Sequence, residues 1–154
     1  MAVTRLGQAL AALLRGLAAM SVDCAVVGGL AVSARTEPRF TRDADVCVAA
    51  AHDAAAEAMR RALQADGYRL QGLVEQTSVG RIATARLVPP DGDAEDVVLD
   101  VLSASSGIEA EVVAEAEPLE LFEGLTAPVA SVPALIALKV LARGRDRRGS
   151  PPRA

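Results

Sequence analysis

A mixed α/β (α+β) fold, one mixed β-sheet with helices packed on it, is what this sequence predicts. Three observations carry the prediction. The first residues show an apolar stripe of helical period, several short Val-rich runs end at glycines or charges, and helix-like and strand-like stretches alternate along the chain. A length of 154 residues suits one domain, and 51% hydrophobic residues suffice to bury a core.

The elements follow in order. Val3, Leu6, Leu10, Leu13, Leu14, Leu17 and Met20 recur at spacings of three and four, so the opening segment is a helix with Arg5 and Arg15 off its stripe. Asp23 to Val27 reads as a strand running into a Gly28-Gly29 turn, with a helix from Leu30 to Arg35 after it. Ala44 to Ala49 is a second strand, and His52 to Ala65 is a helix that Gly67 terminates. Tyr68 to Val74, Arg81 to Val88 and Asp96 to Leu102 are strand-like, and PPDGDAE between the last two supplies a hairpin loop. Leu119 to Phe122 is a further strand candidate. Pro133 then opens a helix over Ala134 to Ala142, with Leu135, Leu138 and Leu141 on one face. Periodicity stops after Arg143. The domain is expected to span 1–145 and a disordered basic tail 146–154, where Arg outnumbers acid while the body is acidic.

Composition excludes several functions. Aromatics make up 2%, which argues against a base-stacking platform for single-stranded nucleic acid and against an aromatic cage for a quaternary ammonium. A net charge of −4 is not that of a general DNA binder. Cys24 and Cys47 sit in apolar runs with no CxxC pair, and His52 is the one histidine, so zinc is not expected and the thiols read as reduced core residues. No nucleophile motif such as GxSxG occurs. The N-terminal apolar stretch is interrupted by Arg5, Gln8 and Arg15, and nothing reaches the roughly 18 apolar residues of a membrane span. A cytoplasmic protein is the expectation.

The stretch that carries chemistry is Val26 to Val48, VVGGLAVSARTEPRFTRDADVCV. On a strand, Asp43, Asp45 and Cys47 point to one side and Ala44, Val46 and Val48 to the other. Two carboxylates two positions apart lie roughly 7 Å apart on one face and repel. A divalent cation between them reverses the sign of that energy, and magnesium prefers such hard oxygen ligands. Asp100 lies mid-strand in DVVLDVL, with Val97, Leu99 and Val101 facing the core. A charge there needs a metal or a partner, and an ion pair with one of the Arg residues is the competing explanation. Gly28-Gly29 allows backbone N–H groups to approach an anion, though a tight turn alone also explains the pair.

This pattern resembles the nucleotidyltransferase superfamily that includes DNA polymerase β: a hydrophobic residue, Gly-Gly, a gap, Asp-x-Asp, and a third acidic residue on a later strand. Here these are Val27, Gly28-Gly29, Asp43, Asp45 and Asp100. Within it, GGLAV with Arg39, Thr41, Asp43 and Asp45, then SSGIEAEVV and VASVPALIALKVLARGR, is similar to bacterial AbiEii-type proteins of abortive-infection and type IV toxin–antitoxin systems.

The resemblance implies that Gly28 and Gly29 lie against the triphosphate of a nucleoside triphosphate. Asp43 and Asp45 would bind Mg²⁺ (or Mn²⁺), and Asp100 would complete a second metal site and help deprotonate the attacking hydroxyl. Arg39 and Thr41 would contact phosphates or hold their loop, and Lys139, the one lysine, would reach the nucleotide from the last helix. The implied reaction moves an NMP from the triphosphate to an RNA or tRNA end or to a protein, with an antitoxin as partner and no membrane. A small-molecule, antibiotic-type adenylyltransferase and a non-catalytic nucleotide- or partner-binding module are the alternatives. Relatives continue past this helix with a Gln-Asp…Asp-Leu segment and another helix. Here only Asp146 resembles it, so a shortened end with impaired turnover is a further expectation.

Overall fold

The computed structural model describes residues 4–36, 43–50, 53–76, 81–93, 95–103 and 107–149. In chain order the elements are α1 (Arg5–Ala19), β1 (Cys24–Val27), α2 (Gly28–Arg35), β2 (Asp43–Val48), α3 (Asp53–Ala65), β3 (Arg69–Gln76), β4 (Arg81–Val88), β5 (Val98–Leu102), α4 (Glu109–Ala114), β6 (Glu117–Phe122), β7 (Leu125–Val129) and α5 (Val132–Gly149). The strands form one seven-stranded sheet in the order β3-β4-β5-β2-β1-β7-β6. β2 pairs with β5 and β1 with β7 in parallel; the remaining neighbours are antiparallel. This is the mixed sheet that the sequence predicts.

Strand alternation divides the apolar side chains between two faces. Val26, Ala44, Val46, Val48, Leu87, Leu99 and Val101 join Leu6, Leu10, Leu13 and Leu17 of α1 and Met59 and Leu63 of α3 in the larger core. Ala25, Val27 and Cys47 turn to the other face, where Val112 of α4 and Ala134 of α5 cover them. Cys47 is buried and Cys24 partly so, both as free thiols. Thr4 caps α1 by accepting a 3.1 Å hydrogen bond from the Gly7 N–H.

Four details differ from the sequence reading. α2 begins at Gly28 itself, so both glycines are its first turn. α4 was not foreseen, because six residues are too few to show a helical period. Neither was β7, whose LTAPV holds Pro128, a residue that reads against a strand; β7 pairs with β1 in the register Val26–Val129. α5 continues past Arg143 to Gly149, so residues 146–149 of the expected unfolded tail are helical. Leu, Ala and Arg are good helix formers, and one interior glycine, Gly144, costs only about 1 kcal/mol. Among the described residues no helix is long and apolar enough to cross a membrane.

Leu13 is fully buried at the α1–sheet contact, whereas Val132 on α5 is half exposed. Leu13→Ala should lower unfolding free energy by about 2–5 kcal/mol in urea titrations. Val132→Ala should change it by less than ~0.5 kcal/mol. Equal effects would mean that α1 does not anchor the core.

Candidate active site

The sheet register sets the site. Antiparallel β1–β2 pairing puts Val27 opposite Asp45, so the first residue of α2, Gly28, lies beside that carboxylate. Parallel β2–β5 pairing puts Asp45 opposite Asp100 and Asp43 opposite Val98. Antiparallel β4–β5 pairing puts Arg86 opposite Asp100. A row thus crosses four adjacent strands, from the glycine turn through Asp45 and Asp100 to Arg86. Neighbouring strands are only about 4.8 Å apart, so these groups interact directly.

Asp43 is exposed at the entrance of β2, Asp45 is partly buried, and Asp100 is buried. Burial is the main reason that the Asp45 carboxyl is pushed up to about 7, with the negative charges of Asp100 and Asp43 adding to it. A side-chain hydrogen bond to Asp100 favours the protonated form further, and only the more distant Arg86 charge opposes the rise. Arg86 forks onto Asp100: its Nε donates to Oδ1 and its Nη2 to Oδ2, both at 3.0 Å. The ion pair that the sequence offers as a competing explanation for Asp100 is therefore present. Arg86 was not singled out in the sequence, although its place in a hairpin beside the Asp100 strand was the available signal.

The two glycines have different reasons. Gly28 has φ +69°, and a Cβ there would overlap Asp45 Oδ2 and come within 2.9 Å of Asp45 Cγ. Any larger residue displaces the carboxylate. Gly29 is exposed, and a Cβ there would meet nothing within 4 Å. Packing does not require Gly29. Val27 provides no side-chain cap to α2, so the first-turn N–H groups keep their capacity to meet an anion.

Lys139 is exposed on α5, and no ion pair joins it to Asp45 or Asp100 among the described residues. Arg39 and Thr41 lie outside the described residues. Behind Asp45 on the same strand face, the Cys47 thiol meets the Glu109 carbonyl at 3.8 Å, and buried Glu109 accepts a 3.0 Å hydrogen bond from the Gly107 N–H. That contact, also unforeseen, fixes α4 against β2.

Among the described residues no three acidic, histidine or cysteine side chains stand arranged to hold a metal ion. The donor chemistry of the Asp45–Asp100 pair nevertheless suits a divalent cation. Two carboxylates share a hydrogen bond on adjacent strands at an electrostatic cost, which a 2+ ion would relieve. Both Asp100 oxygens are meanwhile engaged by Arg86.

The raised Asp45 value makes a prediction for the metal-free protein. The folded state retains a proton up to about pH 7 that an unfolded Asp, near 3.8, has already released. Stability should therefore fall as pH rises through this window. Asp45→Asn should remove that slope and be the more stable protein above about pH 7. Urea midpoints at about pH 5 and pH 8 check this, and an unchanged slope in the variant would assign the pH dependence to another group.

Known proteins share this fold. No curated protein matches the chain by sequence. Among solved structures, a nucleotidyltransferase of Thermotoga maritima, TM1012, described as putative, superposes with a TM-score of 0.61 at 14% identity, over 96% of this chain and 91% of that one. The lincosamide antibiotic adenylyltransferase LnuA, in its lincomycin-bound form, gives 0.56 at 17% identity over 88% and 85%. The antibiotic-resistance factor ANT(2'')-Ia gives 0.55 at 19% over 94% and 75%. At such identities the likeness is one of fold. The family described as nucleotidyl transferase AbiEii toxin, type IV TA system, matches residues 11–153. With nearly the whole chain matched, and with the glycine turn and paired aspartates in one row, this protein belongs to the AbiEii nucleotidyltransferase family.

Proposed function

We propose that this nucleotidyltransferase transfers an NMP from a nucleoside triphosphate to a hydroxyl of an RNA or tRNA end or of a protein, with Mg²⁺ (or Mn²⁺) as cofactor and an antitoxin as cellular partner. The observation that carries the reading is the register that puts Asp45 opposite Asp100 beside the Gly28 turn. Folding gains nothing from that juxtaposition of like charges.

Asp45 and Asp100, with Asp43 at the strand entrance, are the residues that would hold magnesium. When bound, the ion neutralises phosphate charge and acidifies a hydroxyl. The protein's own groups account for the remaining chemistry. Gly29 leaves room for phosphate oxygens over the first turn of α2, whose N–H groups and dipole favour an anion. The acceptor oxygen forms a bond to the α-phosphorus, the bond to the β-phosphate bridging oxygen breaks, and pyrophosphate leaves with the electron pair. The hydroxyl proton passes to a carboxylate, for which Asp100 is the proposed acceptor. Arg39, Thr41 and Lys139 remain proposed phosphate contacts.

A second reading, adenylylation of a small hydroxyl compound, draws support from the fold likeness to LnuA and ANT(2'')-Ia. One experiment separates the two. Each α-³²P-labelled NTP is incubated with Mg²⁺ and total RNA or lysate, beside an Asp43→Ala, Asp45→Ala control. Label on RNA or on a protein band, reduced roughly a hundredfold or more in the control, is the expected result. Label on a low-mass product favours the second reading, and no label from folded protein sinks both.

The glycines give a paired prediction. Gly28→Ala should lose both transfer and thermal stability, because its Cβ occupies the place of the Asp45 carboxylate. Gly29→Ala should leave stability within ~0.5 kcal/mol or raise it slightly, yet weaken NTP binding in a filter assay. NTP binding unaffected by Gly29→Ala would remove that residue from the triphosphate seat.

A further inference from the structure

We infer that Arg86 is a built-in counter-cation that competes with the divalent metal for Asp100 and so sets the metal concentration at which the site loads. The inference rests on the metal-binding role proposed above for Asp45 and Asp100, and adds a residue to which that role assigns nothing.

Two observations support it. The Arg86 fork engages both oxygens of Asp100 at 3.0 Å, so neither is presented to an incoming ion without a shared or broken hydrogen bond. The Arg86 side chain is half exposed while that of Asp100 is only 11% exposed, so the guanidinium can return to water and the carboxylate cannot. A bidentate guanidinium–carboxylate pair is among the stronger polar contacts in proteins, and planar geometry makes arginine the residue suited to it. A compact 2+ ion replacing this 1+ charge gains more from the same carboxylates, but only after the fork is released. The metal-free site is thus held together by a cation that the metal must displace.

The test is Mn²⁺ binding, followed by the electron paramagnetic resonance signal of free Mn²⁺, in the whole protein and in Arg86→Gln, Arg86→Lys and Asp45→Asn. Arg86→Gln should bind Mn²⁺ several-fold to tenfold more tightly than the parent. Its metal-free melting temperature should fall, and its melting temperature should rise more on adding Mn²⁺. Arg86→Lys keeps the charge without the fork, so it should tighten Mn²⁺ binding by a smaller factor, and it serves if the Gln variant does not fold. Equal or weaker Mn²⁺ binding in both Arg86 variants would overturn the inference and make Arg86 a residue that merely orients Asp100. If the parent binds no Mn²⁺ and neither Arg86 variant does, the metal site itself fails. Loss of binding in Asp45→Asn alone leaves that site standing, and the Arg86 comparison then decides.

Discussion

Asp45 and Asp100 face each other across a parallel strand pair, and much of the local structure is arranged around the cost of that contact. Burial disfavours the Asp45 charge, and the nearby charges of Asp100 and Asp43 add to the penalty. The sheet accommodates both carboxylates by two means: a proton retained on Asp45, and a guanidinium forked onto Asp100. Gly28 follows from the same constraint, since any side chain there would take the space of Asp45. The neighbouring residues on these strands are the opposite in character. Ala44, Val46, Leu99 and Val101 are buried in the larger core and hold the backbones that carry the charges. An apolar face thus fixes the position of a polar one.

Much of this arrangement was legible in the sequence, because alternation on a strand is a strict geometric rule. Asp43, Asp45 and Cys47 could be assigned to one face and Ala44, Val46 and Val48 to the other without knowing any partner strand. What alternation cannot supply is which strand lies beside which. The pairing of Asp45 with Asp100 joins segments more than fifty residues apart, and it is the chain's resemblance to a family, not local pattern, that linked them. Arg86 escaped notice for a related reason. A charged residue on a strand looks like solvent-facing decoration until the register of its hairpin is known. The start of α2 at Gly28 was missed because two glycines read locally as a turn, whereas the adjoining sheet and core favour a helix here. The helical residues beyond Arg143 show the converse: the end of the apolar period is not the end of the helix.

Gly28 and Gly29 illustrate how adjacent identical residues can be retained for separate causes. The first is fixed from within the fold by its positive φ and by Asp45. The second is fixed by nothing within the fold, since the space over it is open. An open position at an uncapped helix start, next to a group of carboxylates, is where the proposed reading seats the triphosphate.

The strand pairing also bears on when the site can exist. The central strands are drawn from distant parts of the chain: β1 meets β2 and β7, and β2 meets β5. Each parallel pairing closes a long intervening segment, and such non-local closure is the slow part of folding. The aspartates become neighbours only when these distant strands meet. A nascent or partly folded chain has the individual carboxylates but not their juxtaposition. The capacity for nucleotidyl transfer thus depends on strand pairings that no local segment can form by itself.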